Sequence, residues 1–172
     1  LRVGNELPKQ YIKIAGKTVL QRSIDAFVNH PLVDYVQVVI GEGHKKLYDE
    51  SVTSHHKLLP CCVGGKERQD SVFSGLNAIK HLKPSKVLIH DAARPFVNYD
   101  TITSLIDALD SYDAVDLGAE IVDTLRDRKD ISLSTNRDDV YGVQTPQGFK
   151  FPSIYHAHEE MVGAKMPDDI SI

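Results

Sequence analysis

The stretch Ile-His-Asp-Ala-Ala-Arg-Pro at residues 89–95 places an acid, two small residues and a guanidinium directly after the largely apolar run 86–89. A short apolar run that ends in a polar cluster is typical of a buried strand. Asp91 then follows the carboxyl end of that strand, where open α/β sheets bind their ligands. The stretch therefore predicts a ligand site at this edge, although local pairing of Asp91 with Arg94 explains the same residues equally well.

The rest of the chain alternates between strand-like and helix-like segments. Helical apolar spacing covers 18–29, 69–82 and 100–109, and a further helix opens at Pro152, because proline is tolerated in a first turn. Strand-like runs cover 35–40, 58–63, 86–89, 114–122 and 140–143. This rhythm predicts an α/β fold, in which right-handed crossovers build a three-layer, doubly wound and mostly parallel sheet.

Composition indicates an ordinary globular domain and argues against several classes of function. With 172 residues, 41% of them hydrophobic and 26% charged, the chain is expected to form one domain with a substantial core. A formal charge of −4 argues against a nucleic-acid surface. Neither a membrane-length apolar stretch nor a signal peptide is present in the sequence, which predicts a cytoplasmic location and no membrane partner.

Cysteine and histidine patterns predict no metal site. Cys61 and Cys62 are neighbours, without the spacing of a zinc or redox motif, and are interpreted as buried reduced thiols. The histidine pairs at 55–56 and at 156 and 158 lack the spacing of a helical zinc motif.

Two further clusters carry groups suited to a phosphorylated ligand. Lys9 follows Pro8 and precedes an apolar helix, so its ammonium is free to reach a phosphate, although most such lysines are simply solvated. The loop 64–71 joins a glycine pair to a helix start. Gly65 there allows a ligand to approach the backbone, and Ser71 can present its hydroxyl. An ordinary glycine turn before a capped helix is the equally weighted alternative.

Together with Asp123-Thr124-Leu125, Asn136-Arg137, Thr145-Pro146-Gln147 and Asp168-Asp169, these segments resemble the 2-C-methyl-D-erythritol 4-phosphate cytidylyltransferase family over nearly the whole chain. The motifs PKQY, GGxERxDSV, HDAARP, DT, TPQ and a DD pair occur in the order and at the approximate separations of that family. The resemblance implies a Rossmann-like nucleotidyltransferase fold. It also implies transfer of a cytidylyl group from CTP to methylerythritol phosphate, with release of pyrophosphate.

The resemblance also implies roles for individual residues. Arg2 and Lys9 are the expected catalytic cations, and the expected CTP-binding residues are Gly65, Lys66, Ser71 and Asp91. The acceptor is expected to meet Ala92, Arg94, Thr124, Arg137 and Thr145. No protein metal ligand is expected, since Mg²⁺ enters mainly through the CTP phosphates. The segment at about 123–140 is expected to project as an arm exchanged in a homodimer, with Arg137 reaching the partner's active site.

Three departures from the family pattern define the alternatives. The glycine-rich phosphate loop is missing apart from a possible tail at residues 2–4, and the segment that follows Ile172 in the family is also absent. The expectation is therefore a truncated cytidylyltransferase domain, with or without a second enzyme domain after it. Pro167 replaces the threonine that often precedes the acidic pair. Another polyol-phosphate cytidylyltransferase, such as a ribitol-phosphate enzyme, and a non-catalytic nucleotide-binding module remain open.

Overall fold

A computed structural model describes residues 7–130 and 132–161 of the chain, with the backbone alone at residue 135. The expected catalytic Arg2 and the positions at 167–169 lie outside these residues. Within the described ranges, no helix combines the length and apolar character needed to cross a bilayer.

The first described segment is a tight turn followed by a hairpin and a helix. A 3-10 turn at Lys9–Tyr11 precedes strands β1, Lys13–Ile14, and β2, Lys17–Thr18, which pair antiparallel. Helix α1, Val19–Val28, begins where the Thr18 hydroxyl accepts a hydrogen bond from the Gln21 amide. Such an N-cap satisfies one of the otherwise unpaired amides of the first turn. The helix predicted over 18–29 is confirmed.

The next unit supplies the parallel strand pair that the alternating pattern predicts. Strand β3, Val39–Ile40, pairs in parallel with β4, Cys62–Val63, and an isolated parallel bridge joins Val36 to Leu58. Helix α2, Lys45–Ser51, lies between these strands in the chain and was not predicted. The strand-like runs at 35–40 and 58–63 are thus confirmed as strands, and the structure places them side by side, with shorter regular pairing than their length suggested.

The three elements that follow agree with the sequence pattern. Helix α3, Arg68–Ile79, continues into a 3-10 turn at Lys80–Leu82. Strand β5, Lys86–Ile89, comes next, and helix α4, Tyr99–Ala108, is capped by the Asn98 side chain.

The largest described sheet has the order β5-β9-β6, and both of its pairs are antiparallel. The elements that complete this part of the chain are β6, Ala114–Glu120; β7, Leu125–Arg126; β8, Ser134–Thr135; β9, Tyr141–Lys150; and α5, Phe151–Glu160. Strands β5 and β6 run in the same direction, as expected for a crossover through α4, but β9 returns between them. This corrects the expectation of mostly parallel pairing for this sheet.

Two apolar clusters hold these elements together and locate the turn after β5. The first cluster contains Tyr11 and Ile40, and Ala92 packs against it. The second contains Phe149 and the apolar face of α5, and Ile89 packs against it. Residues 89–92 therefore pass from one cluster to the other, which fixes the path of the segment that carries Asp91.

Candidate active site

The turn after β5 is closed by contacts between Asp91 and Arg94. The Arg94 amide donates to the Asp91 carbonyl at 2.9 Å, and the Arg94 Nε donates to the carboxylate Oδ2 at 3.0 Å. The local pairing that the sequence left open is therefore present. Both side chains remain partly exposed, so the pair is accessible to a ligand.

Strand β9 supplies the second wall of the site. Ile89 pairs with Gln147, so the residues that precede Gln147 lie beside the turn that follows β5. The Thr145 hydroxyl accepts a hydrogen bond from the Asp91 amide at 3.2 Å, and the Arg94 guanidinium donates to the side-chain carbonyl of Gln144. Antiparallel register thus brings the motifs HDAARP and TPQ into direct contact.

Helix α3 contributes a second guanidinium. Arg68 donates through Nη2 to Gln147 Oε1 at 3.3 Å, and its Nε lies 3.9 Å from Asp91 Oδ1. Asp91 is consequently flanked by two arginines, and the planar guanidinium fork suits an anionic ligand such as a phosphate. Gln147 is 1% exposed, and its side-chain nitrogen has no hydrogen-bond partner among the residues that the structure describes.

Sequence reasoning did not assign Arg68, Gln144 or Gln147 to the site. Arg68 and Gln147 stand inside quoted motifs, but their meeting depends on the pairing of β9 with β5 and on the position of the first turn of α3. No spacing along the chain encodes that pairing.

The glycine loop packs closely on the start of α3. A side chain at Gly64 would place its Cβ 2.5 Å from the Ser71 hydroxyl, and one at Gly65 would meet Asp70 at 2.2 Å. Glu67 and Asp70 form a reciprocal capping box, so the capped-helix reading of this loop is correct as a description of its structure. Ser71 donates its hydroxyl to the Glu67 carbonyl at 3.1 Å, and Lys66 is exposed on the loop.

Lys9 reaches the surface from a well-anchored turn. Its side chain is exposed, whereas Tyr11, two residues on, is buried in the first apolar cluster. Ala92 packs against that same cluster, so the segments that carry Lys9 and Asp91 share one support.

The expected arm consists of a short hairpin and a turn. Strands β7 and β8 pair antiparallel, and a 3-10 turn at Arg137–Asp139 leads into β9. The Arg137 guanidinium donates to the Val122 carbonyl at 3.1 Å, and Thr124 is exposed nearby in the sequence at the start of the hairpin. The described contacts of Arg137 therefore belong to the base of the arm.

His90 lies beneath the site. Its ring packs against Phe27 of α1 at a centroid distance of 5.1 Å. Burial is the main cause that lowers the pKa of His90 from its ordinary value, and the charge of Arg94 also lowers it. The hydrogen bond to the Arg94 carbonyl and the charge of Asp91 oppose this shift.

Comparison with known families gives a match along the entire chain. The model of the family described as IspD, 2-C-methyl-D-erythritol 4-phosphate cytidylyltransferase, matches residues 1–172. The chain belongs to this cytidylyltransferase family. It is 39% identical over 99% of its length to the bifunctional enzyme IspD/IspF of Paramagnetospirillum magneticum, of which it covers 45%. It is also 34% identical to a Clostridium botulinum protein named 2-C-methyl-D-erythritol 4-phosphate cytidylyltransferase, with 99% of this chain and 77% of the relative covered.

Solved structures of cytidylyltransferases share the fold. The 4-diphosphocytidyl-2C-methyl-D-erythritol synthase of Anaerococcus prevotii superimposes with a TM-score of 0.82 at 28% identity, covering 97% of this chain and 75% of that one. The Francisella tularensis cytidylyltransferase gives a TM-score of 0.79 at 31% identity, covering 95% of this chain and 77% of that one. The chain spans less than half the length of the first bifunctional relative.

Proposed function

We propose that this protein transfers a cytidylyl group from CTP to 2-C-methyl-D-erythritol 4-phosphate, with release of pyrophosphate, in non-mevalonate isoprenoid biosynthesis. The observation that carries the proposal is the convergence of three family motifs on one cluster: Asp91 and Arg94 after β5, Thr145 and Gln147 on β9, and Arg68 on α3. The Clostridium botulinum relative bears the name of this activity.

The chemistry requires positive charge more than it requires a base. The phosphate of the acceptor attacks the α-phosphorus of CTP, a new P–O bond forms, and the bond to the departing pyrophosphate breaks. Charge accumulates on the pentacoordinate phosphorus and on the leaving group, and preorganised cations stabilise it. The acceptor phosphate is already an anion, so no group on the protein needs to remove a proton.

The proposed roles follow the three parts of the site. Lys9 and Arg2 stabilise the charge that develops at the phosphorus. Gly65, Lys66, Ser71 and Asp91 bind CTP. Ala92, Arg94, Thr124, Arg137 and Thr145 bind the acceptor, and the bidentate fork of Arg137 suits its phosphate.

Magnesium fits this site as a companion of the triphosphate. The described residues contain no group of three metal-ligating side chains that could hold an ion by themselves. Mg²⁺ commonly retains several waters and is held through substrate phosphates with one or two carboxylates, and it supplies charge neutralisation there. The CTP-binding side chains would then orient the nucleotide, while Lys9 and Arg2 stabilise the charge that develops at the phosphorus.

The proposal also covers the fold of the whole domain and its assembly into a dimer. We propose the doubly wound, Rossmann-like arrangement for the whole domain and an exchanged arm at 123–140 in a homodimer. Large apolar side chains are exposed on and beside this segment, namely Val122, Leu133, Tyr141 and Val143. A second subunit covering them would remove a sizeable apolar surface from water. The cytoplasmic location stays a prediction.

The decisive experiment measures CTP-dependent release of pyrophosphate with methylerythritol phosphate and, for comparison, with ribitol phosphate. Replacing Lys9 with alanine should raise the barrier by on the order of 3 kcal/mol, or about a hundredfold in turnover, by analogy with loss of one preorganised donor. Lys13→Ala, an exposed lysine on the adjacent hairpin, is the matched control. Normal turnover of the Lys9 variant at saturating substrates would refute its role, and a preference for ribitol phosphate would refute the proposed acceptor.

A further inference from the structure

Both ring nitrogens of His90 have hydrogen-bond partners, and the partners determine where the proton lies. Nε2 lies 2.8 Å from the Arg94 carbonyl oxygen, and Nδ1 lies 3.1 Å from the Thr145 hydroxyl oxygen. A carbonyl can only accept, so Nε2 must carry a hydrogen. In the neutral ring Nδ1 is then an acceptor, and the Thr145 hydroxyl must donate to it.

This donation fixes the orientation of the Thr145 hydroxyl. A hydroxyl has one hydrogen and two lone pairs. The hydrogen is directed to His90, and one lone pair accepts the Asp91 amide at 3.2 Å. The Thr145 hydroxyl therefore accepts the hydrogen bond of the Asp91 amide only while the hydroxyl hydrogen points away from that amide.

The other ring nitrogen fixes the opposite end of the same turn. By donating to the Arg94 carbonyl, His90 joins the residue before Asp91 to the arginine that pairs with the Asp91 carboxylate. One ring thus braces the turn at Arg94 directly and at Asp91 through Thr145. Phe27 packs on the ring and limits its rotation.

We propose that His90 is a positioning residue for the cytidylyl transfer reaction. It orients the Thr145 hydroxyl so that the oxygen accepts the hydrogen bond of the Asp91 amide, and it closes the Asp91–Arg94 turn. The inference rests on the proposed function, which supplies the reaction whose site His90 supports. His90 itself is proposed to contact neither substrate. It acts through Thr145 and Arg94, which are both expected to bind the acceptor substrate, methylerythritol phosphate.

Two amide substitutions separate the two halves of this role. The shorter asparagine can place an oxygen near the position of Nδ1, which keeps an acceptor for Thr145 but loses the donor to Arg94. The longer glutamine can place its nitrogen near the position of Nε2, which keeps the donor to Arg94 but loses the acceptor for Thr145. His81, an exposed histidine in the 3-10 turn after α3, provides the matched control His81→Gln.

Kinetics in the full-length protein test the coupling. Loss of one neutral hydrogen bond is typically about fivefold in binding or rate. His90→Gln should raise the KM for the acceptor about fivefold while the KM for CTP changes by less than about twofold. Thr145→Val removes this hydrogen bond together with the threonine's own contacts to the Asp91 amide and to the substrate, so its effect should be larger. The double variant should match Thr145→Val within about twofold, because His90→Gln has no further interaction with Thr145 to remove. Full additivity of the two effects would overturn the proposal.

Nitrogen-15 NMR of the histidine rings gives a test that does not depend on turnover. In the wild-type protein the His90 signal should report a neutral ring with its hydrogen on Nε2, and Thr145→Val should shift the Nδ1 resonance. A ring with its hydrogen on Nδ1 would overturn the inference whatever the activity. An inactive wild-type enzyme with the expected tautomer would instead refute the proposed function alone.

Discussion

Asp91 is the residue at which the local and the functional interpretations of the site meet. Its carboxylate pairs with Arg94 at 3.0 Å and lies 3.9 Å from Arg68. All three side chains are about two-fifths exposed, so water screens these pairs and they contribute little to stability. Since the pairs stabilise the fold little, the proposed function assigns Asp91 a second role, which is to orient the two arginines toward a ligand.

Replacement of Asp91 with asparagine tests this explanation. The change should lower the free energy of unfolding by less than about 1 kcal/mol, as for other exposed pairs. The proposed function predicts a larger loss of kcat/KM, of about tenfold or more, since charge-assisted hydrogen bonds at the turn are lost. Asp110→Asn, which breaks an exposed pair with Lys86, is the control and should leave kcat/KM unchanged. If the loss in the free energy of unfolding is as large as the free-energy equivalent of the loss in kcat/KM, the structural role of Asp91 is favoured.

The lowered pKa of His90 predicts how stability depends on pH. Below its ordinary pKa of 6.5 the unfolded chain binds a proton at this site, whereas the folded protein takes it up only at lower pH. The unfolded state then binds more protons, so the free energy of unfolding falls as the pH drops through the window between the two values. Urea unfolding from neutral pH to about pH 5 should show a smaller decline for His90→Gln than for the wild type. Parallel curves would contradict the shift, and His81→Gln serves as the control.

Among the secondary-structure elements, β9 shows that sequence patterns can fail to predict the full length of a strand. The pattern predicts a strand only over 140–143, but β9 runs over Tyr141–Lys150. Pro146 and Gly148 fall inside it, and both normally weaken or interrupt a strand. Pairing with β5 on one side and β6 on the other overrides that local preference. Helix α2 was missed for a different reason. It is mostly charged and carries too few apolar residues to show a helical period.

The same strand determines how much of the site could be foreseen. Asp91 could be placed at a strand end from the apolar run before it, and Thr145 was assigned to the acceptor through the family motif. The contacts of Arg68 and Gln144 could not be foreseen, because they depend on the register that sets Ile89 opposite Gln147. Periodicity reveals which residues are buried, but it does not reveal which strand lies beside which.

Glycine 148 offers a test of how tightly β9 is packed in the sheet. A Cβ at Gly148 would lie 2.8 Å from a methyl group of Val115 and 3.0 Å from one of Leu88. Overpacking of this kind typically costs about 1–3 kcal/mol, so Gly148→Ala should lower the free energy of unfolding by that amount. Gly142→Ala in the same strand is the control, since its Cβ would have its nearest neighbour at 3.7 Å. If the two variants have the same free energy of unfolding in urea, the neighbouring side chains move enough to accommodate a methyl group at Gly148.

For the molecule as a whole, the described part of a single chain exposes large apolar side chains on and beside the arm. Val122 at its base is 79% exposed, and Leu133 and Tyr141 are more than half exposed. The proposed homodimer places a second subunit on this surface. Val122→Asp should therefore yield a monomer in analytical ultracentrifugation, because a charge would have to be buried at the interface. Leu32→Asp, at an exposed leucine after α1, should leave the dimer intact.

Arm exchange further predicts that two impaired variants recover activity when they form a mixed dimer. If each active site combines Asp91 of one subunit with the Arg137 of its partner, a dimer of Asp91→Asn and Arg137→Gln chains contains one site with both native residues. Random exchange makes half of the dimers mixed, and each mixed dimer has one intact site of two, so about a quarter of wild-type activity should return. Arg128→Gln, in the same arm, should be active by itself. Without exchange, Asp91 and Arg137 serve the same subunit, every chain in the mixture stays defective, and mixing restores nothing.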